Sequence, residues 1–560
     1  MLFKDVAETL ERISLEQSIN KKVEIIGDLL RRAAPEEIDV VSRFVIGKPF
    51  PEWSGKELNV GWRTVLKAAV NVTGVDSGEI VKLFKRYGDT GSVVEAILEK
   101  RKPTLLSPVK PLTVLEVHEI LEKIAGISGE GSFQGRVKLV EHMLVRASPI
   151  EAKYICRLLL GELRCGFNEG LLEHAIARAF DIDVKKIRKA NMLLSDIGYV
   201  AKLSKLKPPK IEDVKIEFFR PVRFMLAEQA ESIAEAWRYH SGRVAVECKY
   251  DGARVQVHKL GDKVKIFSRR MEDITDSLPE VVREIVDIEG EFIVDGEIVC
   301  WKNGPMPFQY LVRRLRRKTL SDELLETYPV KLFAFDILKV GGRDLIDEPY
   351  ISRVKVLEKV LKGAWNVIEI AERKFPSSEE ECTEIFENCT KRGFEGVMIK
   401  AIDSPYVPGR RERLWFKYKG EIGRHIHEFT LVIIAAEYGH GKRAGLLSDY
   451  VFAAWDRNRE KLIPVGKAYT GLKDREIAYM TKRLKEIALY ESGNRIYVKP
   501  KIVVDVAASE IQISPKYPLG YALRFPRIVR IRPDLSLEDV DTVEKIEKAF
   551  LRDVKFKSVS

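Results

Sequence analysis

No uninterrupted apolar stretch in this chain is long enough to cross a bilayer. The start, Met1-Leu2-Phe3-Lys4-Asp5, carries charge too early and has no apolar core behind it, so no secretory leader is expected. A soluble, intracellular, cytoplasmic protein that makes no use of a membrane is the expectation. Six cysteines (Cys156, Cys165, Cys248, Cys300, Cys382 and Cys389) are scattered without a C-x-x-C pair, which argues against zinc modules and a disulfide framework alike. Neither G-x-x-x-x-G-K-S/T nor G-x-G-x-x-G occurs, so P-loop and Rossmann phosphate sites are disfavoured. No clean internal repeat is visible.

What is present suits a large globular protein. With 560 residues the length implies about three to four domains. A net charge of +11 points to a polyanionic partner. The charged fraction of 32% is in keeping with a thermophile.

Residues 1–215 read as successive helices. Starts are marked by Asp76 with Glu79, Ser92 with Glu95 and Thr113 with Glu116, pairs that satisfy free amides at helix N-termini. Ser148-Pro149 adds proline at the first helical position. Arg157, Arg164, Gly166, Lys185, Lys186, Arg188 and Lys189 are either phosphate contacts or a solvated face. Lys205 to Pro209 reads as a linker.

From 216 to 424 the pattern turns to irregularly joined strands and helices, an α+β domain. A helix is expected around Glu228 to Tyr239. The basic run Arg313 to Lys318 is a helix face or a nucleic-acid contact. From 425 to 560, short strands with glycines between them and one helix from Asp474 to Tyr490 fit an OB-type β-barrel.

The middle domain is organised around Glu247-Cys248-Lys249-Tyr250-Asp251-Gly252. Alternating Val244, Val246 and Cys248 lead in, and Val255 and Val257 lead out, as in a strand entering and leaving a tight turn. Gly252 is expected to supply that turn through positive φ. Other charged residues end or interrupt the strands: Arg254, Arg269, Glu297, Glu395, Lys400, Lys417 and Lys419. Strand alternation points Lys417 and Lys419 the same way. Buried lysines need an anion. Glu297 and Glu395 suit a hard divalent cation that also takes substrate phosphate. Phe335 stacks a base or belongs to the core. A neutral lysine amine could then attack an α-phosphate, with cations stabilising the charge that develops.

These residues fall into motifs that resemble, in order, those of the covalent nucleotidyltransferases, and most closely ATP-dependent DNA ligases of the archaeal and eukaryotic replicative type. The motifs are Glu247 to Arg254, Ser268 to Asp273, Asp295-Gly296-Glu297, Phe333 to Asp336, Glu395 to Lys400, Trp415 to Lys419, and Arg524 to Asp534. The resemblance implies an all-α DNA-binding domain (1–215), an adenylation domain (216–424) and an OB-fold domain (425–560). It implies that Lys249 carries AMP from ATP, with Mg²⁺ or Mn²⁺ as cofactor and nicked duplex DNA as partner. Glu247 would meet the adenine edge and Phe335 its ring. Arg254 and Glu297 would lie near the ribose, and Arg269, Arg411, Lys417 and Lys419 near phosphate. Glu297 and Glu395 would hold metal. Arg524, Arg527, Arg530, Arg532 and Asp534 would form the barrel motif. It further implies a monomer at the nucleoid, acting in replication, repair, recombination and cell division. Family members bind a sliding clamp through a Gln-led motif ending in aromatics; Lys102-Pro103-Thr104-Leu105-Leu106-Ser107 has neither. RNA ligases and capping guanylyltransferases share the chemistry, but the long helical domain and the barrel motif argue against both. A catalytically dead DNA-binding scaffold is the rival of another class.

Overall fold

The computed structural model describes residues 1–101, 110–315, 321–363, 365–409, 412–420, 427–439, 443, 445–457, 459–514 and 516–559. The loop around Leu105 and Leu106, residues 316–318 of the basic run, and Arg411 lie outside the described residues. Two compact units are present. The first comprises Met1–Phe84, Thr90–Thr390 and Phe394–Tyr418, and the second Lys85–Asp89, Lys391–Gly393 and Lys419–Ser560.

The first unit opens with helices from Phe3–Leu15 to Ile197–Lys205, whose apolar faces close one core running from Phe3 to Ile211. The expected caps hold at Thr113 and Ser148, where Glu116 and Glu151 answer in reciprocal capping boxes, and at Asp76, which accepts from the Gly78 and Glu79 amides. Ser92 is no cap: the helix Thr90–Glu99 starts two residues earlier. Arg157 is also not presented to a phosphate. It is buried, donates to the Leu163 carbonyl and lies over the Tyr154 ring. Arg164, Lys186 and Arg188 pair with Glu162, Glu212 and Glu173.

Two sheets follow. The strands are β1 (Glu228–Gln229), β2 (Val244–Cys248), β3 (Ala253–Leu260), β4 (Lys263–Ser268), β5 (Phe292–Cys300), β6 (Val330–Val340), β7 (Arg343–Asp344), β8 (Ile368–Ile370), β9 (Arg373–Lys374), β10 (Val397–Ala401) and β11 (Trp415–Tyr418). One sheet runs β1-β11-β10-β2-β9; the other runs β4-β3-β5-β6-β7, with β8 beside β6. The helix expected over Glu228 to Tyr239 begins only at Ile233, capped by Ser232, because Glu228 and Gln229 pair in parallel with Phe416 and Lys417. Chain direction crosses from the first sheet to the second in the four residues between β2 and β3, and Lys249 stands at that crossing.

The second unit is β-rich. Strands β12 (His427–Tyr438), β13 (Leu447–Asp456), β14 (Lys461–Ala468), β15 (Ala488–Ser492) and β16 (Arg495–Ala508) form a sheet ordered β14-β13-β12-β16-β15. A further strand, β19 (Arg527–Arg532), also pairs with β16, and β17 (Glu510–Ile513) pairs with β18 (Tyr521–Arg524). The helix starting at Asp474 stops at Glu486, short of Tyr490, because 488–492 join the sheet. No helix among the described residues is long and apolar enough to cross a membrane.

Candidate active site

Lys249 ends β2 and is tied to the segment before β10. Its amide donates to the Gly396 carbonyl at 2.8 Å, and the Glu395 amide donates back to the Lys249 carbonyl at 3.0 Å. The Lys249 ammonium forms an ion pair with the Glu395 carboxylate, and both side chains stay partly accessible. Tyr250 stacks on Phe333 of β6 with ring centroids 4.3 Å apart, and meets Phe394 edge-on at 5.1 Å. The nucleophile candidate is thus held by backbone and ring contacts on both sides while its side chain stays partly accessible.

Gly252 does not take a positive φ. It is required for close approach: a Cβ there would collide with the Ile298 carbonyl and lie 2.9 Å from Cγ of Glu297. The turn therefore lies flush against β5, beside Glu297. Burial pushes the Glu297 carboxyl up to about 7 against the opposing pull of Lys249 and Arg254, with Asp295 and Asp251 adding to the rise.

Arg254 has little freedom. Its Nε and Nη2 grip Asp295 at 3.0 and 2.7 Å, Nη1 donates to the Met225 carbonyl at 2.6 Å, and Tyr406 donates to the same carboxylate at 2.7 Å. Its pKa rises despite burial, because the Asp295 carboxylate stabilises its charge. Phe335 is buried, with Arg254 5.3 Å and Lys400 4.5 Å from its ring centre.

Glu247 is 2% exposed and sits in a cationic cage. Lys400 Nζ lies 2.5 Å from one oxygen; Tyr350 donates its hydroxyl to the other, which Arg373 approaches at 3.5 Å. Burial lowers the Lys400 pKa while Glu247 holds it up. The Lys400 ammonium also lies 4.5 Å from the Trp415 ring centre. Behind this cage Arg353 and Asp336 form a wholly buried bidentate pair. Tyr350, Arg373 and Tyr406 were not expected from sequence: they lie in no motif and reach the site from a helix start, from β9 and from a loop far along the chain.

The other expected residues are more dispersed. Arg269 is exposed beyond β4. Lys417 is half-buried in β11, opposite Met398. β11 ends at Tyr418, one residue short of Lys419, which begins the last segment of the second unit. In that unit Arg532 grips Asp534 at 2.7 and 3.0 Å and Asp505 at 3.1 Å, holding the Asp534 carboxyl down at about 2. Arg530 lies 3.6 Å from Asp505, while Arg524 and Arg527 are exposed on either side of Phe525, itself in a left-handed conformation at φ 47°.

The cysteine spacing, read as arguing against a disulfide framework, missed one bond. Cys248 and Cys389 form a disulfide, with Cα atoms 5.4 Å apart. A separation of 141 residues hides the pair from any reading of local spacing.

Comparisons with known proteins agree along the whole chain. Residues 2–177 match the DNA ligase N terminus, 224–419 the ATP dependent DNA ligase domain and 443–535 the ATP dependent DNA ligase C terminal region. The DNA ligase of Thermococcus fumicolans is 39% identical over 564 residues, covering 100% of both chains. That of Methanopyrus kandleri is 38% identical, covering 98% of this chain and 99% of its own. Among solved structures, Pmar-Lig_Pre is 17% identical with a TM-score of 0.57, covering 94% of this chain and 99% of that one, a likeness of fold.

Proposed function

Because the chain belongs to the family of ATP-dependent DNA ligases, we propose that Lys249 is the residue that takes AMP from ATP and passes it to a nick. The observation that carries this reading is the lysine at the strand crossing, fixed by its backbone and paired with Glu395 beside Glu297.

The amine attacks only when neutral. Its pair with Glu395 therefore opens first, and the carboxylate is placed to take the proton. A nitrogen–phosphorus bond then forms at the α-phosphate as pyrophosphate leaves. AMP passes from Lys249 to the 5′-phosphate of the nick, and the 3′-hydroxyl displaces it to close the strand. Glu247 would receive the adenine edge and Phe335 its ring. Glu297, with Arg254 braced behind it, would face the ribose; Arg269, Arg411, Lys417 and Lys419 would face phosphate. Glu297 and Glu395 would hold Mg²⁺ or Mn²⁺. Two carboxylates beside a phosphate suit such a cation. When bound, the metal supplies charge at the phosphoryl oxygens.

The division at 215 and 424 then assigns DNA gripping to the helical part, adenylation to the middle part, and a second DNA grip to the barrel with Arg524, Arg527, Arg530, Arg532 and Asp534. A monomer serving replication, repair and recombination in the cytoplasm at the nucleoid follows from this reading. A sliding-clamp contact through Leu105 and Leu106 does not follow from it, because 102–107 departs from the family's motif; loss of clamp binding on their joint replacement would support such a contact, and unchanged binding would remove it. The central test is mass spectrometry after incubation with ATP and Mg²⁺, together with sealing of a nicked duplex. One AMP per chain is expected, absent in Lys249→Ala along with sealing. An adduct surviving that substitution overturns the assignment.

A further inference from the structure

We propose that Cys248 and Cys389 are a redox modification site, a dithiol whose oxidation staples the nucleophile strand to the helix that delivers Glu395. The covalent bond joins the last residue of β2 to the helix Glu379–Lys391. Immediately beyond it, Lys249 and the pair Glu395–Gly396 exchange two backbone hydrogen bonds, and Tyr250 packs on Phe394. The connection from 389 to 396 is thus pinned at both ends to residues 248–250. The staple fixes the short segment that sets where the Glu395 carboxylate stands against the amine.

The surroundings favour this pair over any other. Both half-cystines belong to one apolar core, at 6% and 2% exposure. Cys156, Cys165, Cys300 and Cys382 are buried and take part in no disulfide. Geometry singles out the pair: Cys382 shares the helix and the core with Cys389, but it is Cys389 whose Cα stands 5.4 Å from that of Cys248 and whose sulfur is bonded to it. The bond forms by exchange with a small-molecule disulfide while the helix is undocked. One thiolate attacks the small disulfide and releases a thiol. The second thiolate attacks the mixed disulfide, closing Cys248–Cys389 and releasing the second thiol, so two electrons pass to the acceptor. Reduction restores two buried thiols, which pack as small apolar groups, and the fold survives. What changes is the unfolded chain, which loses the constraint of a long loop. Reduction therefore lowers the temperature at which adenylation fails and leaves adenylation at moderate temperature intact.

The test uses the full chain in three forms: treated with an oxidised small dithiol, fully reduced, and Cys389→Ala. After denaturation, iodoacetamide should label four of the six cysteines in the oxidised form and all six in the reduced form. The first unit of the reduced protein and of Cys389→Ala should unfold about 5–10 °C below the oxidised protein. Loss of AMP transfer should shift with it, and reductant should leave Cys389→Ala unmoved. Should that variant fail to fold, oxidised against reduced wild type carries the comparison. Six labelled cysteines after oxidation, or identical unfolding of the oxidised and reduced proteins, overturns the proposal. Labelling and unfolding are read without ATP, so their failure is separate from any failure of Lys249 as nucleophile.

Discussion

Lys249 and Glu395 are joined twice, once through their side chains as an ion pair and once through their backbones, where the Glu395 amide donates to the Lys249 carbonyl. The second bond keeps the two residues in register when the first one opens. Replacing Glu395 by Ala should leave the fold intact and lower the rate of AMP transfer on the order of 100-fold, the usual cost of losing a positioned proton acceptor. Rapid-quench measurement of the first turnover checks this; an unchanged rate would reduce the pair to a contact of the resting protein.

Glu297 should impose a pH dependence. Its folded carboxyl titrates near 7, above the ordinary 4.5, because burial disfavours its charge. Metal binding needs the ionised form, so Mg²⁺ affinity should climb as pH rises through about 7 and level off above it. Stability moves the other way. Between 4.5 and 7 the folded state holds a proton that the unfolded state has lost, so this group's contribution falls as pH rises. Glu297→Gln should flatten both dependences, read by Mg²⁺ titration and by urea unfolding across that range.

His258 gives the opposite sign. It is wholly buried, accepts the Phe219 amide at Nδ1 at 3.1 Å, and burial alone lowers its pKa to about 3. Its folded pKa lies below the ordinary 6.5, so the stability tied to its neutral form is complete above 6.5 and lost as pH falls toward 3. His258→Leu should remove that part of the acid slope while costing the Phe219 bond. Urea midpoints between pH 4 and 7 distinguish it from Glu297.

The cage around Glu247 makes a stability prediction. Lys400→Met takes away the nearest counter-charge and should cost about 3–5 kcal/mol, because it leaves a buried carboxylate under-compensated. Adding Glu247→Gln should recover much of that loss, since the under-compensated carboxylate is then gone and Arg373 keeps Glu358 at 3.1 Å. Denaturant unfolding of the two single variants and the double variant tests the coupling; additive losses would dissolve the pair.

The sequence made the chemistry legible where residues act close to their neighbours in the chain. Period-two alternation marks β2 and β3 on either side of Lys249, and of the charged residues that end the strands Lys249 meets Glu395 and Lys400 meets Glu247, while Arg269, Lys417 and Lys419 are more dispersed. Long-range supports were not legible. Tyr350 and Arg373 meet Glu247 from more than a hundred residues away, and Cys389 meets Cys248 across a comparable gap. Local patterns also misled where tertiary pairing overrode them. Glu228 and Gln229 join β11 instead of the helix behind them.

Gly252 restricts how the protein can be altered. The turn leaving Lys249 rests directly on the Ile298 carbonyl, leaving no room for even a methyl group. A library seeking new nucleotide preferences can vary the walls around the lysine, but a side chain at 252 would lever the turn off β5 and displace Glu297 with it. That one position is closed to redesign.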